Sequence, residues 1–78
     1  MLRVVSVKPL SGTKVSVRMS NGREGIFNVS RFIRTDFFRE LLDAEYFNKV
    51  AIFFHGIGWP NGQDFGPDTI VKELTTPR

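Results

Sequence analysis

Val15, Val17 and Met19 alternate with Lys14, Ser16 and Arg18 through the segment TKVSVRM. A period of two sends successive side chains to opposite faces of a pleated strand, so this segment predicts a half-buried strand with one wet side. The preceding RVVSVK, residues 3–8, is β-branched and stopped by Pro9, with Leu10-Ser11-Gly12 as the turn between the two strands. Asn21-Gly22 follows, a pair that tolerates the positive φ angles of a type I′ hairpin turn, and REGIFNV returns on its other side. The first third of the chain is therefore expected to be an antiparallel meander of three strands.

After Ser30 the period changes. Phe37, Phe38, Leu41 and Leu42 recur at i, i+1, i+4 and i+5, a helical stripe that leaves Arg39 and Glu40 to solvent. Thr35 or Asp36 is the expected N-cap, Ser30 could cap a short earlier turn, and Asp43 could open a further turn that returns Tyr46 and Phe47 to the core. KVAIFFH, residues 49–55, reads as a strand, with Gly56-Ile57-Gly58 turning it into a second hairpin that ends at Trp59-Pro60. GPDTIVKEL reads as a short helix with Pro67 at its first position, where the missing N–H is not needed. The resulting order, β-β-β-α-β-β-α, predicts an α+β fold: a small antiparallel sheet with short helices packed on one face, spanning residues 1–78 as a single compact α+β domain.

Composition narrows the chemistry. The 78 residues, with eight phenylalanines and one tryptophan, provide for one small core, to which self-association would be a natural supplement. The absence of cysteine excludes a disulfide framework, a thiolate zinc site and a cysteine nucleophile. In MLRVVSVKPL, charge and proline interrupt the apolar residues before a signal-peptide core or membrane span could form, so a cytoplasmic protein with no membrane partner is expected. Neither a Walker-type phosphate loop nor a dinucleotide fingerprint is present, and no cofactor is expected.

Charge is distributed unevenly. Residues 1–34 carry seven cations against Glu24 alone, a balance of +6, whereas residues 35–78 carry four cations against seven carboxylates, a balance of −3. Lys14, Arg18, Arg23, Arg31 and Arg34 are thus the candidate phosphate contacts of a nucleic-acid-binding accessory. A solvated face is the favoured reading, since phosphate grooves usually interleave more cations with exposed aromatics. For catalysis or metal binding the only candidates are His55, Asp64 and Asp68. They match no hydrolase pattern and fix no coordination geometry, so a structural or surface histidine is favoured and neither catalytic nor metal residues are expected.

The stretch WPNGQDFGPDTI concentrates the unusual residues. Asn61-Gly62 is a second strong turn former, Gly66-Pro67 opens the helix, and Asp68 in its first turn suits the positive end of the helix dipole. Phe65 and Ile70 would pin the loop to the core. The indole N–H of Trp59 needs an acceptor if buried, for which Asp64 is the nearest candidate. Read this way, the loop is a structural staple.

Several segments together resemble the bacterial domain of unknown function family 2442: the opening VVSVKPL, the step SNGREGIFNVS, the segment DAEYFNKV, and the ending W-x-N-G-x-D-x-x-P-D-T. The likeness extends over about residues 3–72, and its specific part is Trp59, Asn61, Gly62, Asp64, Pro67, Asp68 and Thr69. Two features depart from the family's pattern: Asn28 stands where an acidic residue is usual, and the IFFHGIG segment is more aromatic. The resemblance implies a compact α+β domain with no assigned enzymatic activity. It also implies occurrence alone or beside a helix-turn-helix module, for which this chain has no room, and frequent encoding next to another small protein as in toxin–antitoxin pairs. The expectation is a non-enzymatic protein-interaction module, antitoxin-like or regulatory, that binds a small protein partner, with a neighbouring gene's product as the candidate partner and a homodimer as the candidate assembly.

Overall fold

A computed structural model describes residues 1–76. Strands β1 (Val4–Pro9), β2 (Lys14–Met19) and β3 (Glu24–Asn28) form one antiparallel sheet in the order β1-β2-β3. Its pairing sets Val7 and Gly25 on either side of Val17, and Phe27 beside Val15. Val15, Val17, Met19 and Phe27 are all buried, while Lys14, Ser16 and Arg18 are exposed, as the alternation requires. The register of β1 slips between Val4 and Ser6, a bulge that turns Val5 outward. Proline is the last residue of β1 rather than the first beyond it, a position where an edge strand tolerates its missing donor.

The chain then crosses through a 3-10 turn at Ser30–Phe32, helix α1 (Asp36–Arg39), a second 3-10 turn at Glu40–Leu42 and helix α2 (Ala44–Phe47). Thr35 caps α1 by accepting from the Phe38 amide, and Asp43 caps α2 by accepting from the Glu45 amide. Ser30 caps nothing; its own amide donates to Asn28 Oδ1 at 2.9 Å. The expected stripe is only half buried, because α1 gives way after four residues to a turn of three residues per revolution. Leu41 is buried and Phe38 partly so, whereas Phe37 and Leu42 are exposed.

Strands β4 (Ala51–Phe53), β5 (Gly56–Gly58) and β6 (Asp64–Phe65) form a second antiparallel sheet, and α3 (Pro67–Glu73) closes the fold. The small antiparallel sheet is thus realised as two three-stranded ones. Gly56-Ile57-Gly58 is a strand, not a turn, and the turn before it falls on Phe54 and His55, with φ of 43° and 70°. Helix α3 begins with Pro67 at its first turn and Gly66 before it, as expected. Thr75 then bridges Ile26 on the free edge of β3 through two backbone hydrogen bonds.

One core joins these parts. Val4, Val15, Val17, Met19 and Phe27 from the first sheet, with Val29 just beyond it, meet Ile57 and Phe65 from the second and Trp59 just beyond β5, together with Leu41, Tyr46, Phe47 and Ile70 from the helical turns. Phe65 is its hub: the rings of Phe27, Phe32, Phe38 and Trp59 lie 5.1–6.0 Å from it, tilted or edge-on. The backbone also links the sheets, since the Val4 amide donates to the His55 carbonyl at 2.7 Å.

Candidate functional site

The hairpin from Trp59 to Gln63, between β5 and β6, is built on the same plan as the one from Met19 to Arg23, between β2 and β3. In each, the first residue's amide donates to the carbonyl of the fifth and its carbonyl accepts from the glycine. Gly22 (φ 89°) and Gly62 (φ 107°) hold the left-handed position, and Asn21 and Asn61 do not. This is a type I turn followed by a left-handed glycine, in place of the type I′ turn expected at Asn21-Gly22. Asn21 contributes through its side chain, with Oδ1 accepting from the Arg23 amide.

The second hairpin is fastened to the helical segment by polar contacts that the pattern of the sequence does not announce. Gln63 is completely buried. Its Oε1 accepts from the Tyr46 hydroxyl at 2.6 Å, and its Nε2 donates to the Phe37 carbonyl at 2.8 Å and to Glu40 Oε1 at 3.1 Å. The Tyr46 oxygen in turn accepts from the Asn61 amide at 2.8 Å, while Asn61 Nδ2 lies 2.8 Å from each Glu40 oxygen. Glu40 is therefore not left to solvent, as the helical stripe implied, but is the acceptor on which two amide side chains converge. Trp59 donates its indole N–H to the Phe47 carbonyl at 2.9 Å, not to Asp64. No buried side-chain nitrogen or oxygen among the described residues is left without a partner.

This network explains most of the W-x-N-G motif and assigns it to architecture. Trp59 and Asn61 hold the hairpin to the helices, Gly62 shapes its turn, and Pro67 starts α3. Asp64 lies exposed on β6, Asp68 exposed in the first turn of α3, and Thr69 half-buried beside it, with no side-chain cap on that helix. His55 is exposed in the β4–β5 turn. Among the described residues, no group of three or more histidines, aspartates and glutamates is placed to hold a metal ion.

The five basic candidates are carried by β2, the β2–β3 turn, and the first 3-10 turn with the loop after it. Lys14 and Arg18 share the outward face of the first sheet, where pairing with β1 sets Lys8 and Ser6 beside Ser16 and Arg18. Arg23 sits in the exposed turn and Arg34 follows the first 3-10 turn. Two of the five are already engaged: Arg18 with Glu24 at 3.1 Å, and Arg31 with Glu73 at 3.1 Å while its guanidinium lies 5.3 Å above the Phe32 ring.

Apolar groups are also exposed, and three consecutive ones, Ile52, Phe53 and Phe54, lie in the β4–β5 hairpin. Every residue of β4 is exposed, Ile52 and Phe53 by 49% and 44%, and Phe54 at the tip of the hairpin is 81% exposed. The Phe53 and Phe54 rings lie 4.5 Å apart, and an open groove is lined by Phe53 with Gly58, Trp59, Pro60 and Gly62. No helix among the described residues is long and apolar enough to cross a membrane. Neither a curated protein nor a solved structure matches the chain. The model of the family described as "Protein of unknown function (DUF2442)" matches residues 4–76, and the chain belongs to that family.

Proposed function

We propose that this protein is a non-enzymatic interaction module of the cytoplasm, an antitoxin-like or regulatory subunit that binds a small protein partner and associates with itself. The observation that carries this reading is the tip of the β4–β5 hairpin. Phe54 is 81% exposed and, with His55, occupies the left-handed region that asparagine and glycine fill at least cost in a two-residue hairpin. Two rules of a stable surface are broken at the same place, against both solvation and backbone preference, as happens at sites kept for contact rather than for stability. An exposed aromatic on a rigid hairpin is also a common form of binding anchor.

The test is capture of the partner from native extract by the tagged chain, with the eluted complex weighed by light scattering. A defined complex is expected with the wild-type chain and its loss with Phe54→Ser. A chain that elutes alone would overturn the reading. The second reading, a nucleic-acid-binding accessory using Lys14, Arg18, Arg23, Arg31 and Arg34, is supported by the outward face of the first sheet, where Lys8, opposite Ser16, joins Lys14 and Arg18. It requires affinity for DNA or RNA that falls steeply as salt rises, and equal affinity at low and high salt would remove it.

A further inference from the structure

The outward face of the second sheet has a layout that fits a copy of itself. Cross-strand pairing sets Ala51, Gly58 and Asp64 in one row across β4, β5 and β6, with side-chain positions on the same face. Alternation along β4 adds Phe53 to that face, and Lys49, in the turn before β4, lines the same groove as Ala51, Phe53 and Gly58. The neighbouring row, Ile52, Ile57 and Phe65, faces the other way, with Ile57 and Phe65 in the core. Phe53 lies across Gly58, where a Cβ would stand 3.1 Å from both its Cβ and its Cδ2. Phe53 thus fills the space over Gly58, and the groove beside it runs past Trp59 and Pro60 to Gly62.

Charge on this face is placed only at its margins. Lys49 marks the β4 side and Asp64 the β6 side; both are exposed, and neither makes an ion pair among the described residues. One cation and one carboxylate on opposite margins favour neither a polyanion nor a uniformly acidic partner. A twofold axis along β5, between two such faces, would set β4 of one copy over β6 of the other. Sheets stacked face to face lie roughly 10 Å apart, within the combined reach of a lysine and an aspartate across the interface. Each Lys49 then meets the other copy's Asp64, twice over, and each Phe53 is covered by the opposing sheet. Self-complementarity of this kind is what an isologous dimer demands.

We infer that the outward face of β4, β5 and β6 is the dimer face of this protein, closed by reciprocal Lys49–Asp64 ion pairs around the two Phe53 rings. The inference rests on the reading of the chain as an interaction module and makes its self-association specific. It is tested by sedimentation equilibrium of the full chain and of Lys49→Glu, Asp64→Lys and the double variant, with circular dichroism to establish that each is folded. The wild-type chain is expected at twice its 8.9 kDa mass. Each single variant sets like charges opposite one another and should weaken the dimer by about tenfold or more, and the double variant, with the charges exchanged, should restore it. Phe53→Ser should give a folded monomer. A wild-type chain that stays monomeric at about 100 μM, far above the micromolar constants of ordinary standard-size interfaces, would overturn the inference, as would single variants with undiminished dimerisation or a double variant without rescue. A monomer that still captures a small protein removes the dimer face and spares the partner reading; a dimer that captures nothing does the reverse.

Discussion

Phe54 and His55 hold φ of 43° and 70° without a glycine between them. A side chain with a Cβ in this region costs of order 1–3 kcal/mol when it is neither asparagine nor glycine, and here two such residues are adjacent. The paired substitutions Phe54→Asn and His55→Gly supply the residue types that a type I′ turn prefers. The double variant should therefore be more stable by about 1–2 kcal/mol in urea unfolding while losing partner capture. A gain in stability with capture intact would mean that the strained tip serves neither purpose. Gln63 illustrates the opposite case at the same scale. A fully buried amide is costly unless both its ends are satisfied, and Tyr46, Phe37 and Glu40 satisfy them.

Among the elements, legibility follows burial asymmetry. The β2 strand is readable because one of its faces is buried and the other wet, which writes the pleat directly into the sequence. The start of α3 is readable because Gly66-Pro67 has few other uses, and Pro67 stands at the head of that helix. The second sheet misleads at its first turn for a physical reason. Gly56 and Gly58 look like turn residues but serve as strand, and the actual turn lies on Phe54 and His55, which carry no turn signature. Gln63 is invisible because a polar residue between a turn and a strand reads as exposed, and only the approach of the α1–α2 segment buries it. That approach depends on Tyr46, whose hydroxyl both donates to Gln63 and accepts from the Asn61 amide. Tyr46→Phe keeps the ring but strands the buried Gln63 oxygen and the part-buried Asn61 amide, so it should cost about 1–3 kcal/mol by denaturant titration. The same variant should speed amide exchange at Asn61; unchanged protection there would mean that the hairpin is held by Trp59 and Glu40 alone.

At the scale of the molecule, the two sheets behave as one body or as two according to what lies between them. Phe65 belongs to the second sheet, yet its ring meets Phe27 of the first sheet at 5.2 Å and Phe32 and Phe38 of the crossing segment within 5.8 Å. The Val4 to His55 hydrogen bond ties the same two sheets by their backbones. Folding should accordingly be a single transition. Trp59, the sole tryptophan, is buried against Phe47 and reports on the second sheet, whereas far-UV circular dichroism draws on the helices and strands of the whole fold. The two signals should therefore be lost together on heating or in urea. A domain of this size holds roughly 4–12 kcal/mol in all, taking 0.05–0.15 kcal/mol per residue. Phe65→Ala, at about 3–5 kcal/mol, should shift both transitions equally or abolish both. Phe65→Leu, which removes less volume, keeps the comparison measurable if the alanine variant does not fold. Loss of the Trp59 signal ahead of the circular dichroism would show the sheets to be separate folding units, with Phe65 packed between them rather than joining them.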